Sequence, residues 1–388
     1  MREAFTLDLG NGLNAGEAAL LAIITHPYIK SIREKKGLKM PQLINSGQLK
    51  PPRIAVSDES VAAPWFPRER VQLLKETADR LSGAPVYEQM ELESAWLEWQ
   101  ASEAARLALY RKVNSKEIID LLRQIEKLYK EIYKTTSKAE YREEEKYQEM
   151  RATARLGYRK MKKSGKVERK ELSISRADLN HALSLPTNID TPLEDNVTFT
   201  WPGTIPSAKE LTRNLSLRRL DLLAFKKGID EKNLELMGYI RSRFNVVNIS
   251  ILADKKEHWL DTAATGVYMI FPLFTENHGV AGLMSTNGEL FTKNYKHRLK
   301  VATLQISRLV EGMTFIAGEL ERIDATLPAL QKEAEAGRGE NSPVAALQKK
   351  KTLLAVRLLR LRLLRKFLDT GFALEIASGT RIIETPGL

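Results

Sequence analysis

The chain has 388 residues, 43% hydrophobic and 28% charged, with a formal net charge of +12 and no cysteine. That is a folded composition, long enough for two ordinary domains or one elongated one. It excludes disulfides, thiolate metal sites and cysteine nucleophiles, and no run of about 18 apolar residues offers a transmembrane helix, so spanning a membrane would need β-strands.

The positive charge admits nucleic acid, an acidic membrane surface or an anionic partner. Bases interleave with acids, as in Arg142-Glu143-Glu144-Glu145-Lys146, and no Arg/Lys patch is laced with stacking aromatics. A solvated helix surface is therefore expected, and nucleic acid is not. The opening Met1-Arg2-Glu3-Ala4-Phe5 lacks the basic-then-apolar pattern of a signal peptide, so either the protein is cytoplasmic or the numbering starts at a mature or engineered end.

From Asn14 to about Gln48 apolar residues recur at helical spacing (Ala18, Leu21, Ile24, Ile29, Ile32), with Pro27 as a start or kink near the middle. Gly47 and Pro51-Pro52 stop the pattern, and residues 53–57 alternate as a short strand. Residues 58–87 read as loop with a short helical piece at 68–81, and a second strand is expected at about 85–90. From Glu91 to Lys134 there is neither Pro nor Gly, and Ile118, Leu122, Ile125, Tyr129 and Ile132 step by four and three. This heptad predicts a helix over 91–134, about 66 Å long, packed on another helix. Thr135-Thr136-Ser137 breaks it. A charged helix resumes from Lys138 to about Lys163, Ser164-Gly165 interrupts it, and a short piece runs Ser175 to Leu183. Residues 187–206 hold Pro192, Pro202, Gly203 and Pro206, a linker.

The order then returns. Ser207, with Glu210 three residues on, opens a helix expected to run to about Arg243. Strands follow at about 244–252 and 266–274, and then helices at 291–336 and 343–368, separated by Gly337-Arg338-Gly339 and Ser342-Pro343. Ile54 and Val247 lie 193 residues apart, and Thr136 and Glu340 lie 204 apart. The period is too long for a solenoid and reads as a duplicated unit: residues 1–186, linker 187–206, residues 207–379 and a tail 380–388.

Local patterns within this order resemble the TolC-like outer-membrane efflux proteins, the outer membrane factors of tripartite export pumps. Glu17-Ala18-Ala19-Leu20 through His26-Pro27-Tyr28-Ile29 is similar to the family's "EAL…NP.L" opening helix. Gly47-Gln48-Leu49 through Ile54 resembles "AG.L.NP.L", and Leu179-Asn180 through Leu185-Pro186 resembles "LN.LLGLP". Leu217-Arg218-Arg219-Leu220-Asp221-Leu222 resembles "RRPDL", with Leu220 in the proline's place, and Phe271-Pro272-Leu273-Phe274 matches "PLF". The resemblance covers about residues 12–379.

It implies a mainly α fold with a small β part: duplicated helix-strand-strand-helix units, long antiparallel coiled-coil helices forming a trimeric tube, and four strands per chain given to one shared β-barrel. Ile54, Val56, Val247, Ile249, Tyr268, Ile270 and Phe274 are then barrel-strand residues. The breaks fall at the periplasmic tip of the tube, making Thr135, Thr136, Ser137, Lys138, Gly337, Arg338, Gly339 and Glu340 candidates for gating or adaptor docking. The implied partners are two further copies of the chain, a periplasmic adaptor protein, an inner-membrane transporter and outer-membrane lipid. The implied location is the bacterial outer membrane, extending into the periplasm.

A passive duct needs no covalent chemistry. His26, His181, His258, His278 and His297 have no metal-ligand spacing, Ser216 and Ser307 lack a nucleophile elbow, and no glycine-rich phosphate loop occurs. Asp254, Glu257 and His258 read more plainly as loop residues than as ligands. No enzyme activity, cofactor or metal is expected. Arg357, Arg360, Arg362 and Arg365 interleave with leucines in a stripe that fits helix packing better than a membrane-surface helix. The competing reading is a soluble α-helical pore-forming toxin or coiled-coil structural protein, with 244–292 as its tongue.

Overall fold

The structure, a computed structural model, describes residues 5–7, 12–35, 37–38, 41–45, 52–54, 92–138, 144–194, 197, 204–224, 288–336 and 343–383. Its elements are β1 (Phe5–Leu7), α1 (Ala15–Thr25), α2 (Pro27–Lys35), α3 (Gln42–Asn45), β2 (Pro52–Ile54), α4 (Leu92–Thr136), α5 (Glu145–Ala182), α6 (Ala208–Thr212), α7 (Leu215–Arg218), α8 (Gly288–Ala336) and α9 (Pro343–Ser378). The strands β1 and β2 pair in parallel, Thr6 opposite Arg53 and Leu7 opposite Ile54. Among the described residues no helix is long and apolar enough to cross a membrane.

The chain forms two compact units that each draw on both halves of the sequence. The first takes residues 1–110, 176–313 and 369–388; the second takes 111–175 and 314–368.

In the first unit α1 is buried along all eleven residues. Asn14 and Glu17 close a capping box at its start, Glu17 N–H donating to Asn14 Oδ1 at 2.9 Å. At its other end Arg33 of α2 donates to the Ile23 carbonyl at 3.0 Å, serving an acceptor the helix leaves open. The buried guanidinium needs a counter-charge, which Glu98 of α4 supplies at 3.0 Å while also accepting from Leu43 N–H of α3 at 2.8 Å. One ion pair thus ties four helices. Gly12, at φ +98°, brings the chain against the backbone of Leu193, where an added Cβ would lie 2.6 Å from its carbonyl carbon. The described start of the linker is held against this turn: Leu13 N–H donates to the Pro192 carbonyl and Glu194 N–H donates to the Leu13 carbonyl. Asn180 sits at the foot of α5 and holds the turn that follows, donating to Pro186 and Ile189 and accepting from Thr191.

Three elements depart from the spacing-based expectation. Helix α5 runs unbroken through Ser164-Gly165, because one glycine costs only about 1 kcal/mol and a 38-residue helix with a packed face absorbs it. The helix expected from Ser207 to Arg243 is cut early. Its Ser207–Glu210 capping box forms, but α6 ends at Thr212 and Asn214 turns left-handed at φ +58°. The last helix runs ten residues beyond Leu368, to Ser378.

Candidate functional site in the helical-hairpin unit

The second unit consists of two helical pairs, residues 111–136 with 145–175 and residues 314–336 with 343–368. Ile118, Leu122, Ile125 and Ile132 of the α4 heptad are all buried, with Leu121 and Leu128 beside them and Ala154, Leu354 and Leu358 facing them from α5 and α9. Tyr129, the remaining heptad residue, packs on this core and fills the space above Gly157, where an added Cβ would lie 2.4 Å from its ring. The glycine is the hole for that knob.

A polar layer crosses the apolar one. Asn114 Nδ2 donates to the Leu361 carbonyl at 3.0 Å, and Arg365 Nε donates to Asn114 Oδ1 at 2.9 Å. Arg365 Nη2 reaches both Ser115 Oγ, at 3.0 Å, and the Glu168 carboxylate. This favours one register of α4, α5 and α9, since a one-turn slip would separate the half-buried Arg365 guanidinium from the buried Glu168 carboxylate. Burial lowers the pKa of the neighbouring Arg362, with Glu168 opposing.

Helices α8 and α9 are joined by exposed ties. Arg360 grips Asp324 with two donors, at 2.5 and 3.2 Å, and Arg357 donates to Gln331 at 3.2 Å. Between them Pro328 stands inside α8, removing the N–H that would serve the Asp324 carbonyl. These residues line an open groove of about 940 Å³ with Glu117, Asp120 and Gln124 of α4 opposite. Burial raises the Glu117 pKa, and Arg360 pulls it back down. A second groove of about 680 Å³ is lined by Gln124, Glu131, Thr135, Pro343, Lys350 and Arg357, among others.

At the end of α4 the chain caps itself. Thr136 is buried, its hydroxyl donating to Ile132 C=O at 2.8 Å, while the Ser137 hydroxyl and N–H both donate to Tyr133 C=O. Thr135 is half-buried, and Ser137 and Lys138 are exposed. Gly337, Arg338, Gly339 and Glu340 lie outside the described residues, as do Val56, Val247, Ile249, Tyr268, Ile270, Phe274 and the trio Asp254, Glu257 and His258. Ile54 ends β2. Among the described residues no group of histidines and carboxylates could hold a metal ion.

Sequence reasoning missed Glu168, Asn114 and Ser115 as partners of Arg365, and Pro328 and Asp324 as groove residues. The signals were present: a lone acid in a run of bases, and a proline inside a heptad.

Two solved structures share this fold over nearly the whole chain. A structure of CusC, reported for conformational changes accompanying folding and transmembrane channel formation, superposes with a TM-score of 0.51 at 12% identity, over 94% of this chain and 97% of that one. The open state of the MtrE outer membrane channel of Neisseria gonorrhoeae gives 0.53 at 12% identity, over 97% of this chain and 92% of that one. No protein-family model and no curated protein matches the sequence. The chain shares the mainly helical fold of these two structures, and the resemblance drawn from its motifs is met at the level of the fold.

Proposed function

We propose that this chain is the outer-membrane duct of a bacterial export system, a passive trimeric channel that catalyses no reaction. The observation that supports this reading is the end-to-end likeness to two channel structures, in a chain whose second unit is built of helical hairpins with long apolar seams. A duplicated chain of the 1–186 and 207–379 kind would give two strands per half, with Val56 in the first pair and Val247, Ile249, Tyr268, Ile270 and Phe274 in the second; Ile54 pairs in parallel with Leu7 of β1, a pairing outside the antiparallel ladder of a membrane barrel. Four strands cannot close on themselves, and open strand edges are not tolerated in lipid. Three copies contribute enough strands for a closed barrel.

The hairpin ends would then face the periplasm, where Thr135, Thr136, Ser137, Lys138 and the Gly337-Arg338-Gly339-Glu340 turn would meet an adaptor protein and, through it, an inner-membrane transporter. The exposed Arg360–Asp324 and Arg357–Gln331 ties suit a gate. Exposed pairs contribute only about 0–1 kcal/mol each, so they hold α8 to α9 without making separation prohibitive. Pro328 weakens α8 at the same level.

The deciding experiment expresses the gene with its natural upstream sequence, fractionates the cells and extracts the membranes in detergent. A trimer from the outer-membrane fraction that conducts ions in planar bilayers supports the reading. A monomer in the soluble fraction overturns it. In the same bilayers Arg360→Ala should raise the open conductance; an unchanged conductance removes these ties from gating.

A further inference from the structure

Divided between the two units, the charge is far from even. The second unit, 120 residues, holds 30 Lys and Arg against 17 Asp and Glu, a net of +13, whereas the remainder of the chain holds 31 against 32. The excess is densest on α5. Residues 151–170 contain nine Lys and Arg and one acid, Glu168, and that carboxylate is turned inward onto Arg365. Arg155, Arg159, Lys162, Lys166 and Arg169 step by four and three, so they form one stripe about 21 Å long. All five are exposed, and none has an ion-pair partner among the described residues.

Such a stripe opposes its own helix, since like charges four residues apart each cost about 0.2–0.5 kcal/mol. A merely solvated face would gain by mixing signs, as residues 142–149 do. Along the flank of the stripe stand Leu156, Val167 and Ile174, eleven and seven residues apart and 65%, 55% and 43% exposed. Bases beside a line of exposed aliphatics match the composition of one half of a coiled coil whose partner supplies an apolar seam and acidic flanks. A phosphate-rich partner would need no aliphatic line. A single-stranded nucleic acid would ask for stacking rings, and Tyr158, the aromatic residue within the run, lies half-buried under Lys130.

We infer that this face of α5 docks an amphipathic helix or helical hairpin of a partner protein, with aliphatic residues on its seam and Asp and Glu beside them. The inference rests on the adaptor-docking role proposed above and names the chemistry of that partner.

The test uses the full chain as extracted in detergent and a synthetic helical-hairpin peptide with leucine and isoleucine on its seam and glutamate on its flanks. The same peptide with lysine flanks, vesicles of phosphatidylglycerol and soluble polyphosphate serve as the other probes. The glutamate peptide should bind, weaken at least about tenfold between about 50 and 200 mM salt, and weaken by a similar factor in the triple variant Arg155→Glu, Lys162→Glu, Arg169→Glu. Val167→Ser with Ile174→Ser should weaken it severalfold without changing the salt slope; this pair adds no charge and keeps the test decisive if the triple variant fails to fold.

Equal binding of the lysine peptide overturns the inference. So does vesicle or polyphosphate binding as tight as the peptide's and indifferent to the serine variants, which assigns the face to an anionic surface. Loss of the trimer in a helical triple variant also overturns it, because the face would then meet a second copy. An intact, conducting trimer that ignores the glutamate peptide overturns the inference alone and leaves the duct standing.

Discussion

At the residue scale, the first unit concentrates its polar energy in a few buried charges. Arg106 and Glu375 are fully buried and paired at 3.0 Å, with Glu103 on the same guanidinium and Arg381 beside it. Glu375 Oε1 accepts from Ile382 and Ile383 N–H, and Arg106 donates to the Ile383 carbonyl, so the cluster clasps the chain as it leaves α9. Arg106→Met should cost about 3–5 kcal/mol in denaturant unfolding, because it strands buried carboxylates rather than removing a balanced pair. A smaller loss would mean that water reaches the cluster. Gly157→Ala should cost about 1–3 kcal/mol by driving its Cβ into Tyr129, and the cost should shrink when Tyr129→Ala is added.

Glu98 makes a pH prediction. Burial raises its pKa, with Arg33 and the Leu43 N–H opposing. The folded chain therefore holds the proton more tightly than the unfolded one, so this group's contribution is full below the ordinary glutamate pKa and is lost as pH rises through the raised value. Stability should fall less in Glu98→Gln than in the parent as pH rises above the ordinary glutamate pKa, measured by urea unfolding; an equal fall would remove Glu98 as its source. Neither buried cluster was legible in the sequence, because Arg33 lies 65 residues from Glu98 and Arg106 lies 269 residues from Glu375, and nothing local distinguishes them from surface charges.

At the element scale, what periodicity shows depends on how strongly a helix is packed. The α4 heptad predicts helix over 91–134 and the helix is Leu92–Thr136, because no residue there resists it and the stripe is buried. Gly165 reads as a break and is not one, since its cost of about 1 kcal/mol is spread over a long packed helix. The stretch from Ser207 to about Arg243 reads as one helix and is broken at Asn214, because a left-handed Asn is sterically allowed and no helical pattern announces it. Pro328 shows the same competition from inside α8. Pro328→Ala restores the N–H for Asp324 and should stabilise the chain by up to about 3 kcal/mol, with slower amide exchange around residue 328. No gain would show that the surrounding packing has already absorbed the proline's cost.

At the scale of the whole molecule, the sequence misleads about charge, because an interleaved total of +12 conceals that one unit holds all of it. The helical likeness to channels is legible from motif order, whereas the barrel residues beyond Ile54 lie outside the described set. Phe315 is 70% exposed and Leu304 is 52% exposed, eleven residues apart on one line of α8. Two large apolar side chains in water on an otherwise polar helix face forgo about 1.5–3 kcal/mol each that burial would return. In a trimeric duct this line is a natural seam between copies. It differs from the α5 face in lacking a one-sided charge: Arg308, Glu311, Glu321 and Arg322 balance around it. Assembly through α8 should accordingly tolerate salt, whereas docking on α5 should not. If the chain assembles as proposed, Phe315→Glu should convert the proposed trimer to monomer by light scattering, with helix content unchanged. A trimer that survives the substitution would place the seam elsewhere and leave Phe315 to a different partner.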